Sequence, residues 1–172
     1  MLRRVGWSGW TAQLISPPVT SGAGADGCGI VVAARTDAGV VVLQDLTLKP
    51  AAPMAWAARA VRAHEDYGAD CIVAEINQGG EMVKAVIAQV NPDVPVRTVH
   101  ATRGKWVRAE PVAALYAQGR VTHAAGLTAL EDEMCAFGVD GMSEGHSPDR
   151  LDAAVWAITE LMLRDGPRVR GM

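Results

Sequence analysis

The chain has 172 residues, of which 49% are hydrophobic, and its formal net charge is −3. This length and composition suit one domain with one sizeable core, spanning 1–172, better than two domains. The acidic balance argues against strong DNA affinity of the chain on its own, because autonomous nucleic-acid binders carry a basic footprint. It leaves DNA chemistry open, since a site that holds divalent cations concentrates carboxylates.

The sequence contains no targeting or membrane-spanning pattern. No apolar run approaches the roughly 20 residues that a membrane helix needs, and the N-terminus lacks the features of a signal peptide. Cys28, Cys71 and Cys135 are odd in number and lie in apolar surroundings, which predicts small buried thiols and no disulfide or zinc site. We therefore expect a cytoplasmic protein.

The N-terminal part of the chain predicts a β-hairpin. Residues 1–16 form an atypical segment without a clear period, and only 11–15 is weakly strand-like. The β-branched run at 29–34, a turn at 36–39 and a second apolar run at 40–43 then indicate two antiparallel strands.

The rest of the chain alternates between predicted helices and strands. Helices are expected at 54–64, 81–90, 107–118, 127–137 and 149–163, and strands at 71–74, 94–99 and 120–123. Pro111 is expected in the first turn of its helix, where proline is tolerated. This pattern predicts an α/β domain with a mixed sheet, antiparallel at the start and parallel in the remainder.

A glycine-rich stretch at 22–27 matches the spacing of a dinucleotide-binding motif. That motif works only where its last glycine leads into a helix whose N-terminus receives the pyrophosphate. Here the residues from Gly29 onward predict a strand. We therefore interpret 22–27 as a glycine loop between strands; the sequence also contains no P-loop motif.

Three segments deliver polar or acidic residues to the edge of the predicted sheet: Ser-Pro-Pro-Val-Thr-Ser-Gly at 16–22, Ile-Val-Ala-Glu-Ile-Asn-Gln-Gly-Gly at 72–80 and Ser-Pro-Asp-Arg-Leu-Asp-Ala at 147–153. Two-metal phosphodiester hydrolysis requires hard oxygen ligands from separate elements around ions roughly 3.5–4 Å apart. Carboxylates from these segments meet that requirement.

Several motifs of the chain resemble the nuclease domain of phage-type terminase large subunits, and they occur in the same order as in that family. They are the segments at 72–80 and 147–153, Lys105, Arg-Ala-Glu-Pro at 108–111 and Leu-Tyr-Ala-Gln-Gly-Arg-Val at 115–121. The resemblance runs from about Pro17 to Leu163. It implies a ribonuclease H-like fold, Mg²⁺ or Mn²⁺, and endonucleolytic cutting of concatemeric double-stranded DNA during packaging. It also implies as partners the terminase ATPase domain, the small terminase subunit and the portal.

By motif, the resemblance implies Glu75 as the second metal ligand and Asp149 as the third, with Asp152 close by as a further catalytic candidate. The family has an aspartate directly before Pro-Pro-Val-Thr, where this chain has Ser16. A neutral hydroxyl is a poor ligand for magnesium and cannot replace a bridging carboxylate. Asp26 is a candidate ligand that would partly compensate; its structural alternative is to tether the loop before the next strand.

The candidate residues also have structural alternatives. Asp149 is as well suited to interact with the dipole of a helix N-terminus as to bind metal, whereas Asp152 suits that dipole role better than a ligand role. Asp45, at a strand edge, is expected to face solvent, and His123 to be structural. The tryptophans on helix faces, Trp56, Trp106 and Trp156, are expected to pack against neighbouring elements.

Arg103, Lys105 and Arg108 form the one dense basic cluster in the sequence. The structural alternative is that the cluster is simply solvated at the surface. Beside a metal site, the same side chains would contact DNA phosphates. We expect it to lie on the same edge as Glu75.

Three functions remain open from the sequence. The first is the endonuclease domain of a packaging motor, with no ATPase domain encoded in this chain, as a fragment, a separate module or a prophage relic. The second is an inactive docking or DNA-binding module, which Ser16 and the acidic charge favour. A junction resolvase of the same superfold would explain the carboxylates but not Asn-Gln-Gly-Gly at 77–80. A reading-frame or start-site change upstream of Pro17 would explain Ser16.

Overall fold

A computed structural model describes residues 27–76 and 80–163 in full, and the backbone of 11–16. Its elements are, in chain order, β1 (Thr11–Ser16), β2 (Gly29–Arg35), β3 (Val40–Asp45), α1 (Pro53–Tyr67), β4 (Cys71–Glu75), α2 (Gly80–Val90), β5 (Val96–Val99), α3 (Lys105–Ala117), β6 (Val121–His123), α4 (Thr128–Cys135) and α5 (Asp149–Met162). In the described part of the chain, no helix is long and apolar enough to cross a bilayer.

The strands form one mixed sheet in the order β5-β4-β1-β2-β3-β6. The first three strands pair antiparallel, whereas β4 runs parallel to β1, β5 parallel to β4 and β6 parallel to β3. The predicted mixed sheet with an antiparallel start is therefore confirmed. Because β1, β4 and β5 run in one direction, their carboxyl ends meet at one edge of the sheet.

Strand β1 forms although its local sequence is only weakly strand-like. It lies in the middle of the sheet, paired with β2 along its whole length and with β4 from Ala12 to Ile15. Backbone hydrogen bonding on both sides stabilises an extended conformation that side-chain pattern alone does not specify. The expectation that this segment would make a poor first strand was wrong.

Two apolar layers cover the sheet. Strand residues that alternate along β2 and β4 divide between them: Val31 and Val73 pack with α3, α4 and α5, whereas Ile30 and Ile72 pack with α1 and α2. This alternation follows from the two-residue period of a strand. Helix α5 is almost fully buried along its length, so it is the central element of the first layer.

The helix boundaries differ from the predicted ones by one to three residues. The most important difference is at α3. This helix begins at Lys105, so Pro111 lies in the helix interior and not in the first turn. Helix α1 runs three residues beyond its predicted end and stops at Tyr67, because Gly68 adopts a left-handed conformation (φ 57°) that closes the last turn.

The N-terminus of α5 approaches the backbone of β2 very closely. A Cβ atom built on Gly29 would clash with the carbonyl oxygen of Asp149, and one on Gly27 would meet the side chains of Lys49 and Asp149. Glycine at position 29 therefore permits the helix that carries Asp149 and Asp152 to lie directly against the sheet.

Gly29→Ala should destabilise the protein by about 1–3 kcal/mol, because the added methyl group has no space against the Asp149 backbone. Chemical denaturation measures the change in the free energy of unfolding. Gly104→Ala is the matched control, since a Cβ there meets no atom within 4 Å. Equal stability of the two variants would contradict the close packing of α5 on β2.

Candidate active site

The carboxyl ends of β1 and β4 bring two predicted site positions together. Ile15 is in register with Ala74, so the next residues along the two strands, Ser16 and Glu75, end adjacent strands at the same edge. The backbone of Ser16 also pairs with Gly29, against which α5 begins. Position 16, Glu75 and the start of α5 therefore meet at one place.

Glu75 and Asp152 form a buried pair of carboxyl groups at this edge. Each side chain is only 5% exposed, and the two are hydrogen-bonded to each other. Burial, and next the negative charge of Glu75, raise the pKa of Asp152 to about 7, against the opposing effect of Arg108. Carboxyl groups that share a site in this way cannot both ionise easily without a cation.

Arg108 provides that cation in the structure. Its Nη1 donates to Glu75 Oε1 at 3.2 Å and its Nη2 lies 3.0 Å from Asp152 Oδ1. The guanidinium also stacks over Trp156, with Cζ 5.0 Å from the ring centroid. One fork of donors therefore joins β4, α3 and α5.

Asp149 has a different environment. It lies one helical turn before Asp152, and its Oδ2 is 3.2 Å from Nζ of Lys49, a half-exposed side chain. The structure thus brings Asp152 into contact with Glu75 and gives Asp149 a lysine partner. The metal-bridging convergence of Glu75 and Asp149 stays a prediction.

Some predicted site positions fall outside the described residues. These are Asp26 and the Asn-Gln-Gly stretch at 77–79, while only the backbone of Ser16 is described. Their proposed roles stay predictions.

The three basic residues of the sequence cluster have three separate environments. Arg103 is exposed, Lys105 donates from Nζ to Ser147 Oγ at 2.8 Å, and Arg108 is 11% exposed within the acidic pair. Arg108 therefore lies beside Glu75, as expected of the cluster. Its donors face carboxylates, and the role of the cluster in phosphate contact stays a prediction.

The start of α5 is held by a network from α4 and β3. Glu133 Oε1 accepts a hydrogen bond from the backbone N–H of Leu151 at 2.9 Å, and it supplies the cap that Pro148 lacks. Arg150 donates from Nε to Asp45 Oδ2 at 2.8 Å and lies 3.6 Å from Glu133. The expectation that Asp45 faces solvent was wrong, because Arg150 covers it.

This network and Lys49 are the parts of the site that sequence reasoning missed. Lys49 and Glu133 follow no motif, and their partners lie 100 and 18 residues away in the chain. The contact between Lys49 and Asp149 depends on the position of the loop that follows β3. Because the partners are far apart in sequence, no local sequence pattern indicates these contacts.

Three smaller expectations can be compared with the structure. His123 is structural, as expected, because its ring nitrogens bond Tyr116 and Glu131. Trp106 packs on Phe137 at 5.6 Å between ring centroids but is 44% exposed. Cys135 is exposed, contrary to expectation, because the eight-residue α4 leaves it at its outer end.

A cleft of about 570 Å³ opens beside Asp149. It is lined by residues of α4, the loop after β3 and the loop before α5, including Lys49, Asp132, Glu133, His146 and Ser147. The cleft gives solvent access to Asp149 from the side that Lys49 covers. A ligand can therefore approach Asp149 without displacing the core.

The donor set fits one divalent cation better than two. Glu75 and Asp152 offer hard oxygen ligands at one point, as Mg²⁺ or Mn²⁺ requires. Within residues 27–76 and 80–163, no group of three or more acidic, histidine or cysteine side chains is arranged to hold a metal. Position 16, where the resemblance implies a third carboxylate, is a serine in this chain.

The buried acid pair should make the chelated protein less stable as pH rises. The folded protein binds a proton at Asp152 up to about pH 7, whereas the unfolded chain releases it near pH 4, so folding stability is fully present below that value and is lost toward pH 7. The slope should approach roughly 1.4 kcal/mol per pH unit.

Denaturation in EDTA between pH 4 and 8 measures this dependence. Asp152→Asn is the control, because it keeps the size of the side chain and removes the titrating group. Parallel pH profiles for the two proteins would contradict the raised pKa of Asp152.

The family model of the terminase RNase H-like domain matches residues 17–161. No match was found among curated protein sequences.

Several solved nuclease domains have the same fold. The human cytomegalovirus terminase nuclease domain is 13% identical, with a TM-score of 0.64 over 91% of this chain and 85% of the other. The large terminase nuclease of thermophilic phage G20c is 17% identical, with a TM-score of 0.62 over 87% and 81%. A mutant nuclease domain of the large terminase subunit gp2 of bacterial virus Sf6, solved with manganese, is 13% identical, with a TM-score of 0.56 over 87% and 88%. The predicted ribonuclease H-like fold is thereby confirmed, and the chain belongs to the terminase RNase H-like domain family.

Proposed function

We propose that this chain, over 1–172, is the nuclease domain of a phage or prophage terminase large subunit. It is a metal-dependent endonuclease that cuts concatemeric DNA during genome packaging in the cytoplasm of a bacterial host. Its partners are double-stranded DNA, the terminase ATPase domain, the small terminase subunit and the portal. The family match over 17–161 and the nuclease domains that share its fold support this proposal.

The observation that carries the proposal is the convergence of Glu75 and Asp152 at the edge where β1 ends. An acidic residue at the end of an otherwise apolar strand is costly unless it has a partner or a function. Here Glu75 ends β4 beside a second buried acid, Asp152 of α5, and the strand that ends next to it carries position 16, where the resemblance implies an aspartate. This arrangement of carboxyl groups is suited to binding a cation.

Glu75 and Asp152 would hold Mg²⁺ or Mn²⁺, with Asp149 and Asp26 as further candidate ligands. When bound, a divalent cation supplies activation of the attacking water and neutralisation of charge on the departing oxygen. The chain's own residues fix the geometry, since Glu133 and Arg150 hold the start of α5 and Gly29 lets that helix lie on the sheet. Loss of the carboxylate at position 16 predicts weak metal affinity and slow cleavage.

Arg103 and Lys105 are placed to bring the DNA backbone to this edge. Arg103 lies two residues before α3, and Lys105, the first residue of α3, contacts Ser147, two residues before Asp149. Phosphate contacts of this kind orient a duplex without reading its sequence. The proposed cutting is therefore insensitive to DNA sequence.

A second function is favoured by two observations, namely Ser16 and the ion pairs of Arg108 with the acidic pair. A domain with a missing ligand and neutralised carboxylates would serve as an inactive docking or DNA-binding module of the packaging machinery. Both functions keep the fold and the contact with DNA. They differ in whether the acidic edge supports cleavage.

Ser16→Asp should raise manganese-dependent cleavage of plasmid DNA by at least about tenfold, because a third carboxylate restores the ligand shared between two ions. Conversion of supercoiled to nicked and linear plasmid measures the rate. Ser16→Asn is the matched control, since asparagine is similar in size to aspartate and carries no charge.

Glu75→Gln in the Ser16→Asp background should abolish the gain, whereas Glu110→Gln, at an exposed position on α3, should not. A folded Ser16→Asp protein that cleaves no faster than the wild type would favour the inactive module.

Replacement of Arg103 and Lys105 by alanine should weaken binding to all DNA duplexes alike. The dependence of log Kd on log salt should also become shallower, by about one unit for each phosphate that the variant no longer neutralises. Fluorescence anisotropy at low salt, with duplexes of unrelated sequence, measures both effects.

The control is a double alanine variant at Arg59 and Arg62, which removes the same charge from exposed positions on α1, on the opposite face of the sheet. Equal affinity and salt slope in the two double variants would assign Arg103 and Lys105 to surface solvation.

A further inference from the structure

We propose that Arg108 is an internal counter-cation that occupies the acidic site in the metal-free protein and competes with the divalent cation for Glu75 and Asp152. This inference rests on the proposed function. The sequence analysis grouped Arg108 with the residues expected to contact phosphate. The inference instead assigns Arg108 to the control of metal affinity.

The first support is the geometry of the guanidinium. Its two terminal nitrogens lie 3.2 Å from Glu75 and 3.0 Å from Asp152, so one fork spans both carboxyl groups. A divalent cation shared by these carboxylates would have to draw on the same oxygen atoms. Guanidinium and metal are therefore alternative partners for one pair of ligands.

The second support is the way in which the guanidinium is held. In the described part of the chain, Nε of Arg108 is buried without a hydrogen-bond partner. The remaining contact is the stacking over Trp156. The position of the charged group therefore depends on the two carboxyl groups, and a metal that takes them releases the side chain.

The third support is the space available for the released side chain. A cavity of about 260 Å³ lies beside Arg108 between α3 and α5, and its walls include Arg103, Val107, Val155 and Thr159. The arginine can rotate into this cavity while α3 stays in place. Exchange between guanidinium and metal then requires a change of side-chain rotamer and no unfolding.

The charges also favour arginine over metal when position 16 is neutral. The guanidinium of Arg108 lies between two buried carboxyl groups and offsets the cost of burying them together. A divalent cation must displace this guanidinium from both carboxyl groups. Competition from Arg108 therefore raises the metal concentration that the site needs.

The test is the Kd for Mn²⁺ of the full chain, measured at pH 8 by electron paramagnetic resonance of free Mn²⁺. Arg108→Gln should bind Mn²⁺ about tenfold more tightly than wild type, the factor that corresponds to roughly 1.4 kcal/mol. Arg108→Lys should stay near wild type, because it retains the competing charge. Arg59→Gln, the same change at an exposed position on α1, should leave the Kd unchanged.

Thermal unfolding gives a second measurement that a purely structural role would not reproduce. Arg108→Gln should have a lower Tm than wild type in EDTA and a larger rise in Tm on addition of Mn²⁺, because metal then replaces the missing cation. If Arg108→Gln folds only with Mn²⁺ present, that dependence supports the proposal, provided Arg108→Lys folds in EDTA.

Failure of the inference differs from failure of the proposed function. A measurable Kd that is the same in wild type and Arg108→Gln would overturn the counter-cation role and leave the nuclease proposal standing. Absence of Mn²⁺ binding in wild type, Arg108→Gln and Ser16→Asp alike would overturn both.

Discussion

The fork of Arg108 between Glu75 and Asp152 is the interaction on which the acidic edge depends. Two carboxyl groups that are each 5% exposed would be costly in the same place without a cation, because burial removes their hydration. Arg108 offsets that cost and fixes the distance between β4 and α5. Burial and the neighbouring charge of Glu75 also raise the pKa of Asp152, which lessens the repulsion between the two groups. The site is therefore assembled from three elements that meet only in the folded chain.

The position of α5 relative to the sheet decides whether that cluster can form. Gly29 admits the helix to the backbone of β2, and Glu133 bonds the free N–H of Leu151 in its first turn. Arg150 ties the same turn to Asp45 at the end of β3. These contacts come from three directions, so the start of α5 has little freedom to move. A rigid support of this kind is what a metal or phosphate site requires of the residues around it.

Much of the fold was predictable from the sequence, and the reasons are local. The hairpin of β2 and β3, the buried strand ending at Glu75 and the helix opening at Asp149 each have a clear apolar period and flanking turn residues. Strand β1 was only weakly indicated, because its conformation is stabilised by neighbours on both sides and not by its own pattern.

The location of the acidic site could be predicted, since Glu75 and the 147–153 motif both indicate the same edge of the sheet. The contacts between its residues could not be predicted. Arg108 lies 33 residues from Glu75 and 44 from Asp152, and nothing in a single sequence indicates that a residue in a basic cluster turns inward. The same separation hides Lys49 beside Asp149 and Arg150 beside Asp45. Motifs specify which residues take part, whereas the packing of α3 and α5 specifies which of them touch.

The absence of an acid at position 16 and the inward arginine are consistent with each other in terms of charge. A site with three carboxylates would carry a charge of −3, and one guanidinium would leave −2, the charge that a divalent cation neutralises. With a neutral residue at position 16, Glu75 and Asp152 would carry −2, and the guanidinium of Arg108 would reduce that to −1. Under the proposed function, the residue at the end of β1 thus shifts the balance between guanidinium and metal. Because Ser16 ends the strand next to Glu75, this shift acts where the two partners compete.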